Sequence, residues 1–223
     1  MLMPHSPPWR LPALVALVLV VAMLGTFVAT GIGQDPLQYV RPPTEYAQLL
    51  LRGGGILRAV IGLDNLFVLA YSIVFLGLGA ALWRRGEQRA LVLAATLFLM
   101  ATAVLDLVEN LHFLVLASEA QLGLVPSADR IALQAWESLV KFHLSYLGLL
   151  CLGLALPAET QPQRALKALL VGFQGPVGVA IYVVPQALAL PLVLVRFGFF
   201  VASLALVSVI RVGPDASGSG ARA

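Results

Sequence analysis

Charged and amide side chains inside apolar stretches are the residues of this chain whose types and spacing could do chemistry. Asp106, Glu109 and Asn110 lie within residues 91–117, where nearly every other side chain is apolar, and Lys141 lies in the next apolar stretch. A carboxylate at the centre of a bilayer costs roughly 2.5–3.5 kcal/mol on insertion scales. Such groups need a partner of opposite charge, a wet cavity or a proton. They therefore mark a candidate site for ligand binding, or for proton exchange on Glu109 or Asp106.

The spacing along the chain predicts that two opposite charges lie at one depth in the membrane. Asp106 is eleven residues from the end of its stretch at residue 117, which is about 16 Å at 1.5 Å per residue. Lys141 is eleven residues into the following stretch from Arg130, again about 16 Å. Because the two stretches run in opposite directions and one short loop joins them, we expect Asp106 and Lys141 to share a level.

Helical periodicity predicts that these charges also face each other. One polar stripe on the third helix contains Thr102, Asp106, Glu109, Asn110 and Phe113. A second stripe, on the fourth helix, contains Arg130, Gln134, Glu137, Lys141, Ser145 and Gly148. Ionisable residues inside membranes almost always face the bundle interior. Lys141 should therefore lie between Asp106 and either Glu109 or Glu137.

Three further residues complete the predicted site. Arg196 is a second cation at similar depth, about nine residues from the outer end of the sixth helix, and Asp64 and Asn65 lie at the outer end of the second. The predicted cluster of ligand-binding or ion-pairing residues is Asp64, Asn65, Asp106, Glu109, Asn110, Glu137, Lys141 and Arg196.

Each charge in this cluster also has a purely structural interpretation. Asp106 and Lys141 could form an ion pair that only fixes the register of two helices. Glu137 and Lys141, four residues apart, could satisfy each other on one helix. Arg196 could extend outward to the lipid headgroups. The sequence does not decide between these interpretations and a functional site.

The histidines do not predict a metal or cofactor site. His143 is about 200° around its helix from Lys141, and His112 is about 120° around from Asp106, so neither lies on a polar stripe. The two histidines also differ in depth by roughly 10 Å, which argues against a bis-histidine haem. Zinc bound by His112 and Glu109 lacks a third ligand on the same face. We expect no metal and no cofactor.

The elements that must position the cluster are membrane-spanning helices. Only 11% of the 223 residues are charged, against about 25% in soluble domains, and 60% are hydrophobic. Apolar runs near the ~20 residues that span a bilayer predict an all-α, six-transmembrane-helix bundle in one membrane domain, residues 11–212. The predicted helices are residues 11–30, 63–83, 90–117, 130–156, 165–184 and 187–210.

The segments outside these helices complete the predicted organisation. Residues 1–10 form a proline-rich tail, and residues 213–223, rich in glycine, serine and alanine, should be disordered. Residues 11–30 are interpreted as a first helix, with a cleaved signal peptide as the alternative. The longest loop is predicted at residues 31–62, with a short amphipathic helix at 44–58 that three consecutive glycines interrupt.

The distribution of basic residues predicts the orientation. One side of the membrane would hold Arg10, Arg84, Arg85, Arg89, Arg164, Lys167, Arg211 and Arg222. The other side would hold Arg41, Arg52, Arg58 and Arg130. The positive-inside rule then places both termini in the cytoplasm and, in a bacterium, the long loop in the periplasm of the inner (cytoplasmic) membrane. Basic residues that stand singly beside helix ends do not predict nucleic-acid binding.

The fifth helix has an irregular centre. Residues 172–178, Gly-Phe-Gln-Gly-Pro-Val-Gly, put three glycines and one proline in mid-membrane. This composition predicts a kink or close packing, and transporters use broken helices at their binding sites. Gln174 would be the polar group that such a break offers.

These observations lead to one functional hypothesis and two alternatives. We expect a charged cluster, open to the outer face, that binds or translocates a small or amphiphilic ligand such as a lipid. The first alternative is a structural or assembly subunit in which the same charges only hold helices together. The second is a membrane-embedded hydrolase, for which the sequence offers neither a clear nucleophile nor a complete metal set. The oligomeric state is left open.

Overall fold

The computed structural model describes residues 7–184 and 186–213, and within these ranges the chain contains helices and no strand. Six helices are long and apolar enough to cross a membrane, which confirms the all-α six-helix bundle. They are α1 (Arg10–Thr30), α2 (Pro43–Arg85), α3 (Arg89–Gln121), α4 (Ala128–Ala155), α5 (Gln161–Val183) and α6 (Gln186–Val209). The protein is a multi-pass membrane protein.

Two ends of the bundle can be told apart by their loops. We call the end that carries residues 31–42 the upper end and the end that carries residues 86–88 the lower end. At the lower end, Gly86 adopts a φ of 82° and ends α2 in the left-handed conformation that glycine tolerates. A capping box between Thr160 and Gln163 starts α5, and the Gln163 amide donates to the Arg211 carbonyl at 2.8 Å, which ties α5 to the end of α6.

The second helix begins twenty residues earlier than the sequence predicted. The helix runs from Pro43, so the loop covers residues 31–42 rather than 31–62, and the predicted short helix at 44–58 is its first part. The predicted break reduces to a kink at Gly54, whose φ of 46° and ψ of −130° are open to glycine alone. Tyr46 and Leu57, on either side of the kink, are both buried, and this packing keeps the two parts together.

The centre of α5 is a π-helical turn, Leu169–Gln174. Pro176 follows it, and in a regular helix the proline ring would clash with the carbonyl of Gly172 and leave that carbonyl without a donor. A wider turn before the proline relieves this conflict. Gly178 then allows close packing, since a Cβ there would overlap the ring of Tyr146 on α4.

The helices pack around two main apolar clusters. The lower cluster joins α2, α3, α4 and α5 through residues such as Val74, Leu99, Leu152 and Leu166. The upper cluster includes Tyr46, Phe113 and Ile131, whereas Ala13, Ala16 and Val20 of α1 are buried against α2 and α6. The predicted tails, residues 1–10 and 213–223, fall largely outside the described residues.

Candidate functional site

Lys141 of α4 lies between two carboxylates of α3. Its Nζ is 2.8 Å from Asp106 Oδ1 and also donates to Glu109 Oε2. Lys141 is 4% exposed and Glu109 is fully buried, so the pairing takes place in the interior of the bundle. The structure therefore places Asp106 and Lys141 at one level and facing each other. Of the two further partners expected for Lys141, it brings in Glu109.

Two hydroxyl groups complete the hydrogen bonds of these carboxylates. Tyr71 of α2 donates to Asp106 Oδ2 at 2.5 Å, and Ser138 of α4 donates to Glu109 Oε1. Neither residue was among the predicted site residues. The signal was present, because Tyr71 lies two helical turns below Asp64 on the same face of α2, and Ser138 lies three residues before Lys141.

Asp64 belongs to a second group of polar side chains at the upper end. Asn110 Nδ2 donates to Asp64 Oδ2 at 2.7 Å and to Asn65 Oδ1 at 2.9 Å. Gln34, from the loop, donates to Asn110 Oδ1 at 2.9 Å and lies 3.5 Å from Asp64 Oδ2. Within residues 7–184 and 186–213, no basic side chain comes within 4 Å of the Asp64 carboxylate. This acid is therefore held by amides alone.

Arg196 of α6 points inward rather than to the headgroups. Its Nη2 donates to Asp35 Oδ1 at 2.8 Å, and the residue is 2% exposed. The ring of Phe142 contacts both cations. Its centroid is 4.2 Å from Arg196 Cζ and 4.5 Å from Lys141 Nζ.

The loop of residues 31–42 supplies the contacts that the sequence did not reveal. Asp35 and Gln34 both come from this loop, and they connect it to α6 and to α3 across the upper end of the bundle. Tyr39 of the same loop packs against Tyr182, with 6.4 Å between ring centroids, and burial raises the pKa of the Tyr39 hydroxyl. The loop therefore covers the polar cluster.

Glu137 is the one predicted site residue that pairs elsewhere. Its Oε2 lies 3.0 Å from His112 Nδ1, at the α3–α4 contact, and not beside Lys141. The physical reason is that two α3 carboxylates already satisfy the Lys141 ammonium, so the i,i+4 pairing on α4 is not needed. His143 contacts the Leu139 carbonyl of its own helix at 2.8 Å. Among the described side chains, no group of three or more His, Cys, Asp and Glu is arranged to hold a metal ion.

A cavity of about 160 Å³ joins the polar cluster to an apolar interior. Its upper wall contains Gln34, Asp35, Asp64, Tyr71, Asp106, Lys141 and Arg196. Its lower wall is mostly apolar and includes Val74, Phe75, Leu99, Leu149, Leu152, Leu166, Leu170, Phe200, Leu204 and Val207. From Lys141 to Leu152 on α4, and from Arg196 to Val207 on α6, the wall extends over eleven residues, or about 16 Å.

Several residues that line this cavity carry buried polar atoms without a hydrogen-bond partner in the described part of the chain. These atoms are both amide atoms of Gln174, which is 1% exposed, the Ser203 hydroxyl and Arg196 Nε. A buried polar group left without a partner costs about 1–3 kcal/mol. Gln174 also ends the π-helical turn of α5, so an irregular backbone and an unsatisfied amide coincide at the cavity wall.

The fold and the cavity define a multi-pass membrane protein with a buried polar cluster that opens into an apolar chamber. No family model, no curated protein and no solved structure matches the chain.

Proposed function

We propose that the protein binds an amphiphilic ligand from the bilayer. The polar head of the ligand lies against Asp64, Asp106, Lys141 and Arg196, and its hydrocarbon chain extends down the apolar wall. The observation that carries the proposal is the continuity of the cavity from the charged cluster to the lower cluster of the bundle. A pocket with a few convergent polar groups and mostly apolar walls is the usual form of a ligand site.

The apolar wall of the cavity is about as long as one leaflet is thick, whereas a volume of about 160 Å³ encloses only part of a hydrocarbon chain, so the rest of the chain would lie in the bilayer. The hydrocarbon core of a bilayer is about 30 Å thick, so the apolar wall of about 16 Å matches half of it. Removing each CH₂ group of the chain from water contributes about 0.8 kcal/mol to anchoring. A chain that moves from the bilayer into the cavity is already out of water and gains none of this free energy. The polar cluster must therefore determine which amphiphile binds.

The cellular setting is part of the proposal. The lower end carries Arg84, Arg85 and Arg89 in and beside one short turn, and the positive-inside rule supports a cytoplasmic lower end. The membrane would be the inner membrane of a bacterium, with both termini in the cytoplasm. The charged end of the cavity would then face the periplasm, and translocation of the ligand would begin there.

A structural or assembly role is the second candidate, and one observation favours it. Hydrogen bonds and ion pairs among Tyr71, Asp106, Glu109, Ser138 and Lys141 connect α2, α3 and α4 in the interior of the bundle. Buried polar networks can fix the register of helices without binding anything. This candidate does not account for the apolar chamber or for the unsatisfied Gln174 amide.

The test of the proposal is a matched pair of leucine substitutions on α6. Leu204 lines the cavity, whereas Leu194 is exposed on the outside of the bundle. The wild type, Leu204→Trp and Leu194→Trp are purified in a neutral detergent, and the amphiphile that remains bound is measured by mass spectrometry. We expect the wild type and Leu194→Trp to retain a bound amphiphile and folded Leu204→Trp to lose it. Equal retention in all three proteins would contradict the proposal.

A further inference from the structure

The polar cluster at the upper end contains more acids than bases. Its carboxylates are Asp35, Asp64, Asp106 and Glu109, and its cations are Lys141 and Arg196. Net charge buried in a membrane protein is costly unless it is paired. Binding a further positive charge would therefore stabilise the cluster, whereas a further negative charge would destabilise it.

Both cations are already paired with carboxylates. Lys141 contacts Asp106 and Glu109, and Arg196 contacts Asp35 at 2.8 Å. Asp64 is different, because its hydrogen-bond donors are the neutral amides of Asn110 and Gln34. Asp64 is one of the residues that line the cavity, so it borders the space that the head of the ligand would occupy.

We infer that the amphiphile bound in this cavity carries a cationic amine head, which pairs with Asp64. The inference rests on the proposed function and adds the chemical class of the ligand. An ammonium group brings the cluster from two bases to three positive charges against four carboxylates. An anionic head would instead meet a surplus of carboxylates, and each of the two cations already has a carboxylate partner, although Arg196 Nε has no partner in the described part of the chain.

The neighbours of Asp64 on α2 also suit an ammonium group. Phe67 and Tyr71 lie three and seven residues further along the helix, and both line the cavity. Their ring centroids are 5.1 Å apart in an edge-on arrangement. Aromatic rings attract alkylammonium groups through their negatively polarised faces and cover their methyl groups.

One observation that does not involve these acids also supports a ligand in the cavity. Gln174 is 1% exposed, lines the same cavity, and has no hydrogen-bond partner for either amide atom within residues 7–184 and 186–213. A ligand or the water that accompanies it would supply the missing partner. The unsatisfied amide favours an occupied cavity, and the charge of the occupant is inferred from the acids alone.

Two probes with the same chain and opposite permanent charges test the inference. Dodecyltrimethylammonium and dodecanesulfonate are titrated, each by calorimetry, into nanodiscs of phosphatidylcholine that contain the full-length protein, with empty nanodiscs as the blank. The variants are Asp64→Asn and Asp129→Asn. Asp129 is an exposed acid at the same upper end that does not line the cavity, so it controls for surface charge. Leu204→Trp reports whether binding takes place in the cavity.

We expect the wild type and Asp129→Asn to bind the ammonium probe at least about tenfold more tightly than the sulfonate. Asp64→Asn should lose this preference, and Leu204→Trp should lose binding of both probes. Tighter binding of the sulfonate, or equal binding of both probes because protons already neutralise the acids, would overturn the inference. If Leu204→Trp reduces the binding of neither probe, the proposed function itself is overturned. If Asp64→Asn does not fold, the preference of the wild type for one of the two probes still tests the inference.

Discussion

Lys141 is the residue on which the charged interior depends. Removing it leaves Asp106 and Glu109 buried without a cation, and breaking a buried ion pair on one side typically costs about 3–5 kcal/mol. We expect Lys141→Met to lower the thermal unfolding midpoint strongly. Lys167→Met, which removes contacts to the carbonyls of Leu154 and Leu156 at the lower end, should have a much smaller effect.

The compensating variant must change three residues. In the Lys141→Met background, Asp106→Asn alone would leave the Glu109 carboxylate without a cation. The informative protein therefore combines Lys141→Met, Asp106→Asn and Glu109→Gln. We expect this protein to recover most of the lost stability, since no charge is then left without a partner in the interior. Retention of the bound amphiphile should remain impaired. Recovery of both properties would show that the charges only hold the helices together.

At the level of helices, the apolar runs predict the six spans because hydropathy and length decide them. Depth and helical periodicity likewise predicted that Asp106 and Lys141 face each other, since both are local properties of a helix. The contacts of Asp35 and Gln34 were not predictable, because a loop has no period that fixes where its side chains point. The sequence left Glu109 and Glu137 as alternative partners of Lys141, and periodicity alone could not choose between them. A residue four positions from Lys141 can turn to either side of the stripe, and His112 on α3 decided which.

The kink in α2 yields a prediction about backbone conformation. Gly54 has a φ of 46° and a ψ of −130°, whereas Gly55 has no positive φ, and a Cβ at either position would meet no other atom within 4 Å. Gly54→Ala should therefore cost about 1–3 kcal/mol through backbone strain alone. Gly55→Ala should be neutral or stabilising by up to about 1 kcal/mol, because alanine favours the helix. The comparison of the two thermal midpoints checks the kink, and equal midpoints would contradict it.

At the scale of the whole molecule, the orientation decides from which leaflet the proposed ligand would come. The basic turn between α2 and α3 lies at the lower end, whereas the loop that covers the polar cluster lies at the upper end. Positive charge is retained on the cytoplasmic side during insertion. We therefore expect the cluster and its loop to face the periplasm, so that the head of an amphiphile in the outer leaflet of the inner membrane lies level with Asp64 and Arg196.

Cysteine labelling in intact bacterial cells tests this orientation. The chain has one cysteine, so Cys151→Ser gives a background in which Val40→Cys reports the upper end and Gln88→Cys the lower end. Both positions are exposed. A membrane-impermeant thiol reagent should label position 40 in intact cells and position 88 only after the cells are broken. The reverse pattern would place the charged end of the cavity in the cytoplasm. The ligand would then come from the inner leaflet, while the internal contacts of the site would stay the same.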